Sequence, residues 1–201
     1  MQLKNITVFC GSSSGKDPIF YETAYKLGAV LASKDIGLVY GGAKVGLMGA
    51  VANGVLEAGG KAIGVIPQFL KSVEIAHEQL TELIVVESMH QRKAKMDALS
   101  DGIIALPGGF GTLEELFEML TWGQLGLHKK PVGILNIEGF YDSLMALTSQ
   151  MVTAGFLKQQ NQEMLLVDNS IPGLLDKMHA YEPPLVGKWV EDQSADILDK
   201  M

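Results

Sequence analysis

Cysteine is nearly missing from this chain of 201 residues: Cys10 is the only one. That excludes a disulfide framework within the chain and a cysteine-built metal cluster. Long apolar runs are lacking too. None approaches the ~20 residues that span a bilayer, so no membrane association is expected. Basic tracts are also missing. Sixteen Lys and Arg stand against 23 Asp and Glu, a formal net charge of −7 that weighs against a nucleic-acid-binding face. The opening "MQLKNITVFCGSS" has neither the basic start nor the apolar core of a secretory leader, and a cytoplasmic protein is expected. His77, His90, His128 and His179 are scattered, without metal-ligand spacing, so neither metal nor cofactor is expected.

What is present is a globular composition, 47% apolar and 19% charged, with enough length for one sizeable core. Short apolar runs alternate with amphipathic stretches. Strands are expected at 6–10, 37–41, 61–66, 82–87, 102–107 and 131–137. Helices are expected near 18–34, 46–58, 89–100, 112–126 and 140–154. Six strands alternating with helices predict a Rossmann-like, doubly wound α/β fold: a parallel sheet with helices on both faces. One domain over 1–181 and a peripheral tail over 182–201 are expected. Residues 67–79 read as a connection that could cover a site.

Ligands of open parallel sheets bind beyond the carboxyl ends of the strands. Here those ends carry "GSSSG" (11–15), "GGAKVGLMGA" (41–50), "SMHQRKAKM" (88–96) and "GGFGTLEE" (108–115). Glycine turns opening into helices present backbone N–H groups and the positive end of the helix dipole to an anion. Three such turns in one sheet, with Ser12, Ser13 and Thr112 nearby, favour a phosphate or nucleotide over simple tight turns. No G-x-x-x-x-G-K-[ST] is present, which excludes a P-loop reading.

Two further features bear on chemistry. Arg92 falls within the apolar stripe of Met89, Met96 and Leu99, in the first turn of its helix, where the dipole disfavours a cation. It therefore needs an anion, either a ligand or a glutamate of the chain. Glu114, Glu115 and Glu118 lie on the polar arc of the helix that begins near Thr112. They complement its dipole, and they also follow the glycine turn into the presumed crevice. Periodicity does not choose between Glu114 and Glu115.

"SMHQRKAKM" with "PGGFGTLEE" resembles the paired signature M-H-x-R-K and P-G-G-x-G-T-x-x-E of the LONELY GUY family of cytokinin riboside 5′-monophosphate phosphoribohydrolases, often labelled lysine decarboxylases. The similarity runs from about residue 6 to residue 157. It implies a Rossmann-like homodimer that hydrolyses the N-glycosidic bond of a purine nucleoside 5′-monophosphate, such as AMP or an N6-substituted relative. The catalytic pair would be Arg92 and Glu115. Substrate contacts would fall on Met89, Lys93, Gly108, Gly109, Phe110, Gly111, Thr112, Leu113 and Glu114, with Glu74 and Thr121 at further family positions. Gly11, Ser12, Gly41 and Gly42 join them from the other strand ends. A noncatalytic nucleotide sensor is the alternative. A pyridoxal-phosphate decarboxylase finds no recognisable cofactor lysine in so short a chain.

Overall fold

The computed structural model describes residues 3–71 and 76–184. Seven short apolar segments form the strands: β1 (Asn5–Phe9), β2 (Gly37–Tyr40), β3 (Ala62–Pro67), β4 (Glu82–Val86), β5 (Gly102–Ala105), β6 (Val132–Leu135) and β7 (Leu165–Asp168). They make one sheet in the order β4-β3-β2-β1-β5-β6-β7, every pairing parallel. The central strands are β-branched and apolar on both faces because both faces are covered. Every residue of β5 and β6 is buried.

The helices are α1 (Pro18–Ser33), α2 (Gly46–Glu57), α3 (Met89–Leu99), α4 (Phe110–Gln124), α5 (Asp142–Thr153), α6 (Gln159–Gln162) and α7 (Ile171–His179). One sheet face, with Val8, Leu38 and Ile104, packs on Leu27 and Leu31 of α1, Ala50 and Val51 of α2, and Leu174 and Leu175 of α7. The other, with Phe9, Val39, Ile103 and Ile134, packs on Met96 of α3, Leu116 and Met119 of α4, and Leu144 of α5. Each such aliphatic or aromatic side chain removed from water contributes about 1.5–3 kcal/mol.

Two differences from expectation concern the carboxyl-terminal third. β7, α6 and α7 are an additional strand and two additional helices. β7 is only four residues of an edge strand, "LLVD", and three of them are half-buried, so neither alternation nor a long apolar run marks it. The helix expected from 140 starts at Asp142, because Ile137–Gly139 forms a 3₁₀ turn with Glu138 at φ 50° and Gly139 at φ 68°. The tail from residue 185 lies outside the described residues.

The strand order reverses between β1 and β5, which pair from Ile6↔Gly102 to Phe9↔Ala105. The chain leaves β1 through α1 toward β2, and leaves β5 through α4 toward β6. The two connections part above the strand ends and leave a crevice. Gly11 N–H donates to Pro107 O at 3.0 Å across its floor.

Candidate active site

Helix caps differ among the elements that border this crevice. Side chains cap α1 (Asp17 to Ile19 N–H, 3.0 Å), α3 (Ser88 to Gln91 N–H, 3.2 Å) and α7 (Ser170 to Gly173 N–H, 3.2 Å). No side chain caps α2 at Val45 or α4 at Gly109. α4 thus opens on the crevice with the positive end of its dipole bare, as an anion site requires. Thr112, one turn in, is buried, and its Oγ1 lies against Gly108 so closely that a Cβ there would collide with it. A Cβ at Gly109 or at Gly111 would meet nothing within 4 Å. Phe110 stands at the rim, 93% exposed, and Leu113 packs into the core.

Arg92 is 5% exposed, on the same helix face as Met96. Its Nη2 donates to Gly41 O at 3.3 Å, its Nη1 lies 3.8 Å from Met89 Sδ, and its Nε is buried without a hydrogen-bond partner. Gly41 permits this: a Cβ there would strike Nη2. A buried guanidinium with an unused N–H keeps donor capacity for a further acceptor.

Cys10 reports how Arg92 and Glu115 are related. Burial pushes its thiol far above the ordinary range, the Glu115 charge adds to that, and Arg92 opposes it. Both charges are therefore within electrostatic reach of the end of β1. Gly11 follows at once, and with Ser12, Ser13, Phe20, Leu47, Gly108, Gly109 and Phe140 it lines a cleft of about 300 Å³. A larger hollow of about 560 Å³ lies at the opposite, amino-terminal edge of the sheet among Lys4, Lys34, Asp35 and Lys61. It touches none of the unusual strand ends, whereas the smaller cleft is lined by two of them, the turns after β1 and β5, with Arg92 and Glu115 outside its lining.

Other predicted positions are distributed as follows. Lys93, buried beside Arg92, lies 2.5 Å from Glu114 Oε1 and 2.9 Å from Glu118 Oε2. Burial disfavours its charge, but the hydrogen bond to Glu114 and the ion pair with Glu118 outweigh that and raise its pKa. Gly42 O accepts from His77 N–H at 2.9 Å, and Ala43 bridges to Ala76, so the covering connection is fastened next to Gly41. Glu74 lies outside the described residues. Thr121 is exposed, nine residues and about 13 Å along α4 from Thr112, and its hydroxyl donates to Phe117 O. Trp122 is core packing. Glu118, expected on the polar arc with Glu114 and Glu115, stands at i+4 from Glu114, and both reach Lys93. Tyr141, whose hydroxyl steadies the β5 end through Leu106 O at 2.7 Å, left no signal in the sequence.

A seven-stranded, doubly wound parallel sheet with an uncapped glycine turn at its switch point defines an α/β protein of the Rossmann class. The family profile described as "Possible lysine decarboxylase" matches residues 48–178. The cytokinin riboside 5′-monophosphate phosphoribohydrolase LOG2 of Arabidopsis thaliana is 43% identical over 198 residues, covering 97% of this chain and 93% of the relative. The probable cytokinin riboside 5′-monophosphate phosphoribohydrolase LOGL1 of Oryza sativa subsp. japonica is 48% identical over 176 residues, 88% and 79% of the two chains. In structure, the molybdenum cofactor binding protein of Rippkaea orientalis superposes with a TM-score of 0.66 at 25% identity, covering 90% of this chain and 98% of its own. This chain belongs to the family of cytokinin riboside 5′-monophosphate phosphoribohydrolases.

Proposed function

We infer that the crevice hydrolyses the N-glycosidic bond of purine nucleoside 5′-monophosphates, AMP or N6-substituted adenine nucleotides, to free base and ribose 5-phosphate. What supports this is the uncapped start of α4 at the cleft and the buried Arg92 on the Gly41 carbonyl, with the charges of Arg92 and Glu115 both reaching Cys10 at the end of β1. The 5′-phosphate sits at Gly109–Thr112, held by backbone N–H groups, the helix dipole and the Thr112 hydroxyl. Binding energy from that non-reacting group fixes C1′ over Glu115. As the bond breaks, its electron pair leaves with the base and positive charge grows on C1′ and the ring oxygen. The Glu115 carboxylate stabilises that charge, and water supplies the new C1′–O bond. Arg92 orients the substrate through the N–H that the protein leaves unpaired.

Lys93 argues against decarboxylase chemistry. A Schiff-base lysine must lose its proton, whereas two carboxylates hold this one charged. A second copy of the chain completes the assembly in this reading, as the exposed side chains of Phe110, Leu125, Leu147 and Phe156, all 45% exposed or more, leave apolar area to cover. Light scattering then gives about twice 21.7 kDa.

The test is to incubate the protein with AMP and with N6-isopentenyl-AMP and to measure both products. Release of base and ribose 5-phosphate in equal amounts is expected. Saturable binding with no base release would make the protein a sensor instead and overturn the hydrolase reading.

A further inference from the structure

Arg92 and Lys93 are neighbours on α3, and Glu114 and Glu115 are neighbours on α4. Successive helical side chains project about 100° apart. Lys93 Nζ is tied to Glu114 Oε1 at 2.5 Å and to Glu118 Oε2 at 2.9 Å, so one stripe of α4 is held to one face of α3. The residues next in sequence on each helix are Arg92 and Glu115, whose opposite charges both reach the Cys10 thiol. The two carboxylates are not equivalent. The Glu114 contact is shorter, but its side chain is 55% exposed and water screens it. Glu118 is 18% exposed, and its buried Oε2 lies 2.9 Å from Lys93 Nζ, close enough for an ion pair though off-axis for a hydrogen bond. Lys93 itself is 6% exposed. A sheltered ion pair is poor value as a stabiliser, since apolar residues of the same size serve as well. It does fix how two helices are rolled against each other.

We propose that Lys93 and Glu118 are positioning residues, whose ion pair sets the roll and register of α4 against α3 and so brings Glu115 to Arg92. This rests on the hydrolase reading of the crevice, and it gives Lys93 a different task from the substrate contact that the family resemblance implies. A 1 Å displacement of a catalytic group costs on the order of a hundredfold in rate, so the effect falls on turnover. The 5′-phosphate is held by the α4 backbone, so product affinity is spared.

The full chain is assayed as Lys93→Met, Glu118→Gln and the double variant. The readouts are kcat and KM for base release from AMP, calorimetric binding of ribose 5-phosphate, and Tm. Each single variant is expected to lose about 10- to 100-fold in kcat while the ribose 5-phosphate Kd moves less than about threefold. The double variant should lose no more than the worse single, because both remove one contact. If Lys93→Met instead raises KM and the ribose 5-phosphate Kd tenfold with kcat retained, Lys93 is a phosphate ligand and the proposal falls. It falls equally if Tm drops while turnover per folded molecule stays at the wild-type level. Should Lys93→Met fail to fold, the near-isosteric Glu118→Gln carries the test, and unchanged kinetics there overturn the proposal. A wild-type protein that releases no base overturns the hydrolase reading itself, and this inference with it.

Discussion

At the scale of single residues, the site depends on side chains kept small as much as on side chains with charge. Gly41 lies under the Arg92 guanidinium, where a methyl group would collide with Nη2 and press on Met48 Sδ. Gly41→Ala is therefore expected to displace Arg92, with about 1–3 kcal/mol of overpacking cost and a kcat for base release about 10- to 100-fold lower. Equal rates for Gly41→Ala and wild type would show that the arginine's seat is irrelevant. Glu115→Gln keeps the shape of the side chain and removes its charge. A loss of more than about a hundredfold in kcat with Tm unchanged is expected, the size seen when one group aimed at developing charge is removed. Wild-type turnover in that variant would take Glu115 out of the mechanism.

At the scale of elements, α4 carries most of the proposed site, and its opening turn separates two kinds of glycine. Gly108 is demanded by packing, since a Cβ there meets Thr112 and the Gly11 backbone. Gly109 has φ −93° and open space where its side chain would be, so the protein itself has no need of glycine there. Thermal melts and ribose 5-phosphate titrations should split accordingly. Gly108→Ala is expected to lower stability by about 1–3 kcal/mol. Gly109→Ala should leave Tm unchanged or slightly higher and weaken product binding by tenfold or more, because the methyl group occupies the place of the phosphate. Undiminished binding by Gly109→Ala would move the phosphate away from this turn. The same element shows what periodicity captures and what it leaves open. Leu113, Leu116 and Phe117 mark the inward face of α4, but Glu114 and Glu115 are both compatible with its polar arc. Only the packing of α3 against α4 separates them, giving Glu114 to Lys93 and placing Glu115 near Cys10.

At the scale of the whole molecule, two histidines link stability to pH. His128 Nδ1 accepts from Lys130 N–H at 3.2 Å, so Nε2 carries the proton and donates to Met119 O at 2.8 Å. His77 repeats the arrangement, accepting from Gln79 N–H and facing Asn53 Oδ1. Burial is the main cause that lowers both pKa values. Lys44 reinforces it at His77 and Glu78 opposes it, while at His128 Asp97 and the Met119 hydrogen bond oppose it and Lys130 reinforces it. With folded pKa values below the unfolded 6.5, the unfolded chain takes up protons first as pH falls. Their contribution is complete above 6.5 and is lost from there downward to the lower folded values. Tm should fall between pH 7.5 and pH 5.5, as should be visible by calorimetry, and fall less in a His77→Gln/His128→Gln variant. A Tm that holds or rises on acidification in wild type would refute the assignment.

By itself the sequence determined the alternation of strand and helix, the parallel sheet and the glycine turns at its carboxyl ends, because period, burial on both faces and turn chemistry are local properties of the chain. Its paired motifs also marked Arg92 and the glutamates. Tertiary structure alone decided what lies between those motifs. β1 and β5 are separated by 92 residues between their segments yet are neighbours at the switch point, so the ends of both reach one crevice. Gly41 comes to lie beneath Arg92, and Lys93 comes to bridge α3 and α4. β7 becomes a strand only because the β6 edge is there to receive it. These are contacts between residues far apart along the chain, and their geometry exists only once the sheet has closed its order.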